Sequence, residues 1–388
     1  MNERRRILLV TIDFPPAIGG IQEWTSQVAQ GLALRHDVTV IVPGHRDSAC
    51  YDATAPFRVV RYPATRHRVA ALGALTLTMA SEIVRARPDI VLFGHIFAAV
   101  AARPLCRRCA IPYVVATYGM EVQAHRVQRF LRDAIVDGKR CIAISRHTAR
   151  QLQDKGVPPA IVDLVGVGVP SHLLTAPTRD ADAARLLPGR DGPVILTLAR
   201  LDERYKGHDV MLRALPLILA QVPATTYVIA GDGRYRRYYE QLAEALGVRD
   251  HVVFTGRVTD EERLALYDRC DLFALISREA ADGGAEGFGI VFLEAAARGK
   301  PAAGGRSGGI PDAIVDGTTG LLVDPTDIHA ITDACVTLLT DRALARRLGE
   351  AGRRRVQKSY TWDHIARQVE AVLQGALTDT VVGTRMAA

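Results

Sequence analysis

One pattern recurs along the chain: a short run of aliphatic and β-branched residues, a loop, then apolar residues at helical spacing. Runs at 7–11, 38–42, 58–61, 90–93, 113–117, 141–144 and 161–165 predict strands. Most are too continuously apolar for half-exposed strands, so they predict a parallel sheet buried on both faces. Helices are expected between them, at about 22–34, at 69–85, and after Ser145, a candidate N-cap. Residues 176–192, APTRDADAARLLPGRDG, are rich in Pro, Gly and Asp and read as a domain boundary. The pattern then restarts, with strands at 194–198, 226–230, 252–254 and 272–275. Helices are predicted from about Gly207, near 235–246 and near 261–268, and a helical tail runs on from about Asp327. Two sets of alternating βα units predict an α/β protein of two doubly wound parallel sheets facing each other across a cleft. Ligands of such sheets bind beyond the carboxyl ends of the strands. That rule gathers Gly19-Gly20, His95, Tyr118 to Glu121, Arg200, Gly231 to Gly233 and Glu286 on one expected rim.

A length of 388 residues fits two domains of about 170–200 residues better than one core. No apolar run reaches the roughly 18 residues of a membrane span. The start, MNERRRILLV, is basic, but its apolar run stops at Asp13 without a small-residue cleavage site. A signal peptide is therefore not expected, and the placement expected is cytoplasmic. The six cysteines are scattered, as reduced thiols are, and Cys106-x-x-Cys109 lacks the second pair of a zinc site. The net charge of +7 is uneven: residues 1–172 carry 22 Lys and Arg against 13 Asp and Glu, or +9, and the rest −2. A basic first half suits an anionic partner, either lipid headgroups or nucleic acid; it also fits a plain arginine bias.

The candidate chemistry centres on 285–309, AEGFGIVFLEAAARGKPAAGGRSGG. Gly287 and Gly289 let backbone approach a ligand and leave amides free at a helix start, a site for phosphate or hydroxyl oxygens. A helix starting near Gly289 carries Glu294 about 7.5 Å along its axis at ~1.5 Å per residue, leaning back toward Glu286. Carboxylates around a phosphate-binding helix start suit a nucleotide sugar; a solvated Glu pair beside a glycine turn is the alternative. In ARLDERYKG, Arg200 follows a strand and Lys206 opens a helix, two cations fit for a diphosphate or for ordinary surface duty. Asp180-Ala181-Asp182 is the only Asp-x-Asp and falls in the expected linker, far from any strand end, so no metal site is expected. A dinucleotide-binding G-x-G-x-x-G is missing after the first strand, where the loop reads DFPPAIGG.

Taken together these segments resemble retaining glycosyltransferases of family 4 with the GT-B fold. The matching pieces are Gly19-Gly20, ARLDERYKG, AGDG at 230–233, FTGRV at 254–258, Glu286-x7-Glu294, GGIPDAIVDGTTGLLVDP from Gly308, and YTWDHIARQ at 360–368. They span nearly the whole chain. The resemblance implies a Rossmann-like acceptor-side domain at 1–174, a donor domain at 175–371, and a C-terminal helix at about 372–388 crossing back to the first. It implies that Arg200 and Lys206 hold the diphosphate and Glu286 the donor sugar's hydroxyls, with backbone amides of Phe288 to Ile290 assisting. Glu294 would take the ribose hydroxyls, and Arg257 and Val258 would flank the base. Transfer would proceed with retention on the front face, without metal, the leaving phosphate taking the acceptor's proton. Tyr118 stands where many relatives carry a histidine, so it joins Glu121, His125 and His95 as an acceptor-side candidate. Arg126, Arg129 and Arg132 recur at three-residue spacing on a helix that in lipid-glycosylating relatives meets the membrane. The donor expected is GDP-mannose or a UDP-sugar, and the acceptor a lipid, glycan or small metabolite. No further cofactor and no nucleic acid are expected, and the enzyme would be peripheral at the inner membrane face. A nucleotide-sugar epimerase of similar fold, or a non-catalytic sugar- or nucleic-acid-binding protein, would share parts of this pattern.

Overall fold

The computed structural model describes residues 3–65, 67–119, 128–176, 186–187, 189, 191–281 and 283–385. The chain divides into two compact units, Met1–Gly168 with Trp362–Ala388, and Val169–Thr361. The first unit holds β1 (Arg6–Val10), β2 (Asp37–Pro43), β3 (Arg58–Tyr62), β4 (Ile90–Phe93), β5 (Tyr113–Thr117), β6 (Arg140–Ala143) and β7 (Val162–Leu164). They form one sheet in the order β3-β2-β1-β4-β5-β6-β7, parallel throughout, with Ile7 opposite both Val38 and Ile90. β4 and β5 are buried along their whole length, which is why they read as unbroken apolar runs.

The second unit holds β8 (Val194–Leu198), β9 (Thr226–Ala230), β10 (Val252–Gly256), β11 (Leu272–Leu275), β12 (Ala302–Gly305) and β13 (Leu321–Val323). The order is β10-β9-β8-β11-β12-β13, again parallel. Each sheet is therefore a Rossmann-like doubly wound layer, the pair of folds that defines GT-B. In each, strand order reverses once, between β1 and β4 in the first and between β8 and β11 in the second. These switch points are where open α/β sheets bind ligands.

The compact units meet at other residues than the domain bounds the resemblance implied. The chain leaves the first unit at 168/169 rather than 174/175, and returns at 361/362 rather than about 371/372. The short helix His172–Thr175 belongs to the second unit because the Arg298 guanidinium, paired with Asp268 at 2.7 Å, also donates to the carbonyls of Leu173 and Ala176, both at 2.9 Å. The returning helix, Trp362–Arg385, packs from its first turns against Gly20–Ala33, burying Ile365, Ala366, Val369 and Leu373. Its Glu370 receives His36 at 3.0 Å and Arg35 at 2.6 Å. The tail expected from Asp327 is three helices, Ile328–Thr340, Arg342–Ser359 and Trp362–Arg385, the first capped by the Asp327 carboxylate.

Candidate active site

At the second switch point two loops meet. The loop after β8 is zipped onto the turn after β9: Ala199 N–H donates to Ala230 O at 3.1 Å and Leu201 N–H to Asp232 O at 3.0 Å. Gly231 and Gly233 make this possible, since a Cβ on either would run into the backbone of Ala199 or Leu201. Gly231 thus seats the loop that carries Arg200. The Arg200 guanidinium is largely exposed and pairs with Glu203 at 3.0 Å. Such an exposed pair is weak, so those donors can turn to an anion.

Lys206 ends a short 3-10 turn, and Gly207 in the left-handed region starts the helix His208–Gln221. Its Nζ donates to Glu286 Oε2 at 2.6 Å, and both side chains are largely buried. Burial disfavours the Lys206 ammonium, but the adjacent Glu286 carboxylate outweighs it and holds the pKa above that of an ordinary lysine. The structure therefore joins two predicted residues 80 positions apart into one ion pair.

Glu286 leads into Gly287, the buried Phe288, and Gly289, which caps the helix Ile290–Ala297 from the left-handed region. The second glycine cluster backs this turn. Gly309 N–H donates to Glu286 O at 2.7 Å, and a Cβ at Gly309 would collide with Gly287 O. The amides at this helix start, Ile290 included, are thereby fixed by close backbone packing. Glu294 is almost fully buried. Arg263 donates to its Oε1 at 2.9 Å and the Tyr267 hydroxyl to its Oε2 at 2.8 Å. Burial, reinforced by Glu294, raises the Tyr267 pKa well above its ordinary value, so the hydroxyl keeps its proton. Arg263 and Tyr267 were not singled out from the sequence. Their signal was spacing: four residues apart, they share one face of the helix Asp260–Arg269. Arg257 is exposed and Val258 half-buried, just past β10.

At the first switch point, Gly19 and Gly20 are exposed at the start of the helix Gly20–Ala33. His95 follows β4 and caps the helix Ile96–Arg108, its Nδ1 accepting the Phe97 N–H at 3.2 Å. Tyr118, an acceptor-side candidate, lies just past β5. It is buried edge-on against Trp24 and gives its proton to Gly94 O at 3.0 Å. Glu121, His125, Arg126 and the Asp180/Asp182 pair lie outside the described residues. Arg129 is exposed on the helix Gln128–Val136, whereas Arg132 turns to Gly156 O at 3.1 Å.

Residues 18–173 match the family described as Glycosyltransferase Family 4, and residues 178–355 that described as Glycosyl transferases group 1. The chain is 36% identical to the GDP-mannose-dependent alpha-(1-6)-phosphatidylinositol monomannoside mannosyltransferase of Mycolicibacterium smegmatis, covering 95% of this chain and 98% of that one. Its identity to the GDP-mannose-dependent monoacylated alpha-(1-6)-phosphatidylinositol monomannoside mannosyltransferase of Corynebacterium glutamicum is 31%, over 96% and 99%. Among solved structures it superposes on Anabaena HepE in complex with UDP with a TM-score of 0.81 at 19% identity, covering 95% of this chain and 99% of that one. With both matched segments carrying the expected motifs at their switch points, the chain belongs to glycosyltransferase family 4 and is a sugar-transferring enzyme.

Proposed function

We propose that the chain moves a mannosyl group from GDP-mannose to a hydroxyl of a phosphatidylinositol-type glycolipid, with retention and without a metal ion. The observation that carries this is the 36% identity, over nearly the full length of both chains, to a mannosyltransferase of that donor and acceptor. Donor and acceptor selection rest on many dispersed contacts, and identity across both units preserves more of them than a shared motif would.

The chemistry of the second switch point supports the reaction class. The bond from the anomeric carbon to the diphosphate oxygen breaks while the acceptor oxygen bonds on the same face. The acceptor's proton passes to the departing phosphate oxygen, leaving GDP. Charge grows on the diphosphate as that bond breaks, and fixed cations nearby stabilise it most in the transition state. Lys206 supplies a point charge already held in place by Glu286, and Arg200 a planar fork able to bind two oxygens. Glu286 has a second oxygen for the sugar's hydroxyls, the amides of Phe288 to Ile290 face the phosphate side, Glu294 receives the ribose, and Arg257 with Val258 flanks the base.

The acceptor is a lipid, so we assign the enzyme to the cytoplasmic membrane face as a peripheral protein. Although no unbroken apolar run reaches the length of a membrane span, one helix among the described residues, Val69–Ala86, which includes Glu82 and Arg85, is long and apolar enough on average to cross a membrane. Its inner side is packed into the first unit through Leu75, Met79 and Ile83, while Val69, Leu77 and Val84 are exposed. An apolar outer stripe on a chain whose first 172 residues carry +9 suits contact with anionic lipid.

The full chain, supplied with GDP-mannose, vesicles containing monomannosylated phosphatidylinositol, and EDTA, is expected to add one α-linked mannose. Product formed only from a UDP-sugar would overturn the donor, a β-linkage the stereochemistry, and a strict need for magnesium or manganese the role given to Arg200 and Lys206.

A further inference from the structure

Two loops of the second unit meet in the Lys206–Glu286 pair: residues 199–207 after β8 bring Lys206, and residues 276–289 after β11 bring Glu286. In the roles proposed above, that pair is a poor tie during a reaction. A diphosphate draws the ammonium one way and sugar hydroxyls draw the carboxylate another, so the bond between them weakens when register matters most. The fold provides a second tie. Arg278 Nη1 donates to Asp209 Oδ1 and Nη2 to Oδ2, both at 2.9 Å, with 25% and 11% of the two side chains exposed. Two parallel bonds between planar groups fix orientation as well as distance. Asp209 lies in the first turn of the helix His208–Gln221, just past Lys206, where the helix start also favours a carboxylate. The backbone joins in, as Arg278 N–H donates to Tyr205 O at 2.9 Å. Gly207, in the left-handed region, lets the two loops close here, since a Cβ on it would run into Ile276 O.

The loop after β11 is thus anchored at both ends. Its first residues are held to the loop that carries Lys206, and its last residues are held to the second glycine cluster, where Gly309 N–H donates to Glu286 O. Between these anchors Ala280 N–H donates to Gly284 O at 2.8 Å and closes a turn. Glu286 takes its place from both anchors, and the Arg278 anchor relates it to Lys206. Arg278 is badly placed to be a ligand of the diphosphate itself, because Asp209 fills its end-on fork. The Arg200 guanidinium, exposed and paired only with Glu203, is free for that duty.

We infer that Arg278 is a positioning residue for the donor: paired with Asp209, it holds the loop of Glu286 in register with the loop of Lys206. The two charges of the functional pair then turn to sugar and diphosphate without their loops parting. This rests on the donor roles proposed above for Lys206 and Glu286 and adds the residues that set the spacing between them. It also fixes an order of sensitivity: a ligand that spans both loops depends on Arg278 more than a ligand that meets one.

Arg278→Met and Asp209→Asn test it, with the Kd of GDP and of GDP-mannose read by titration calorimetry on the full chain. GDP reports Lys206 alone, whereas GDP-mannose needs Lys206 and Glu286 in register. Arg278→Met is expected to weaken GDP-mannose about tenfold to a hundredfold, the scale of a misplacement of roughly 1 Å, and GDP by no more than about threefold. Asp209→Asn should do the same, and the double variant should be no worse than either single one, because both remove one contact. Should Arg278→Met melt below the assay temperature, Asp209→Asn and Arg278→Lys carry the same comparison. Equal losses for GDP and GDP-mannose, or no loss for either, overturn the inference. A loss in Arg278→Met with none in Asp209→Asn overturns it too, since Arg278 would then touch the donor itself. A wild type that binds neither compound overturns the proposed donor instead, and the inference is decided without ligand. The coupling between Lys206→Met and Glu286→Gln, read from thermal melts of each and of the pair, is compared in the wild-type and Arg278→Met backgrounds. A coupling that shrinks in Arg278→Met upholds the inference, and an unchanged coupling sinks it.

Discussion

Lys206 and Glu286 neutralise each other across 2.6 Å, so each substitution acts on both. Lys206→Met removes the cation and leaves Glu286 without its partner; Glu286→Gln keeps a hydrogen-bonding side chain but frees the ammonium. Each is expected to lower kcat about 10²–10³-fold, the scale of one lost transition-state contact, with the chain still folded by circular dichroism. A kcat within threefold of wild type in either would remove that residue from the mechanism. Both residues were legible in sequence because charged residues after a buried strand have few structural duties; that they pair was not, because 80 residues separate them. Histidines offer another test at this scale. Burial pushes both His95 and His208 down to about 4, below the ordinary 6.5. The unfolded chain therefore binds more protons below pH 6.5, and stability is present above that value and lost as pH falls toward 4. Each histidine should cost on the order of 2 kcal/mol between pH 7 and pH 5. Thermal melts across that range should show a shallower pH slope in His208→Leu than in wild type.

Helix starts were the most readable elements, because capping chemistry is local. Ser145 accepts from Thr148 N–H, Asp327 from His329 and Ala330 N–H, and Gly207 and Gly289 precede their helices as read. Thr259 closes a full capping box with Glu262 at the head of Asp260–Arg269. Thr259→Ala should cost about 1 kcal/mol, read from urea unfolding. Because that helix carries Arg263 and Tyr267 to Glu294, a matching loss of GDP affinity should accompany it. β12 and β13 were the least readable. β12 is AAGG, with no β-branched residue, and is a strand only because β11 and β13 flank it: Phe273 is opposite Ala302, and Gly304 opposite Leu322. Small residues are required there, since a Cβ at Gly304 would lie 2.8 Å from Ile314 Cδ1 and 2.9 Å from Ile310 Cγ2. Packing against distant elements, absent from any local window, sets that strand.

For the whole molecule, two parallel sheets followed directly from the alternating pattern, because double burial leaves an apolar run whatever the tertiary detail. The route of the chain was less legible. Trp362 and Asp363 begin the returning helix, yet nothing in YTWDHIARQ marks the start as a change of unit. What marks it is a close approach: Gly31, in the last turn of Gly20–Ala33, leaves room for Ala366, whose Cβ would overlap any Cβ at 31. Glycine inside a helix costs about 1 kcal/mol relative to alanine, so its presence there is offset by this contact. Gly31→Ala should therefore destabilise the first unit by about 1–3 kcal/mol despite its better helix propensity, pushing the returning helix off Gly20–Ala33. Ala366→Gly alone should cost about 1 kcal/mol, through lost propensity and a small void. Combined, the two exchange which helix carries the methyl, and the double variant should be more stable than the sum of the single effects by at least about 1 kcal/mol. Calorimetry reads this as a favourable coupling confined to the unit that contains Met1–Gly168. Additive effects would mean that the helices separate readily at this point, and that Glu370, with Arg35 and His36, holds the returning chain without the help of the small-residue contact.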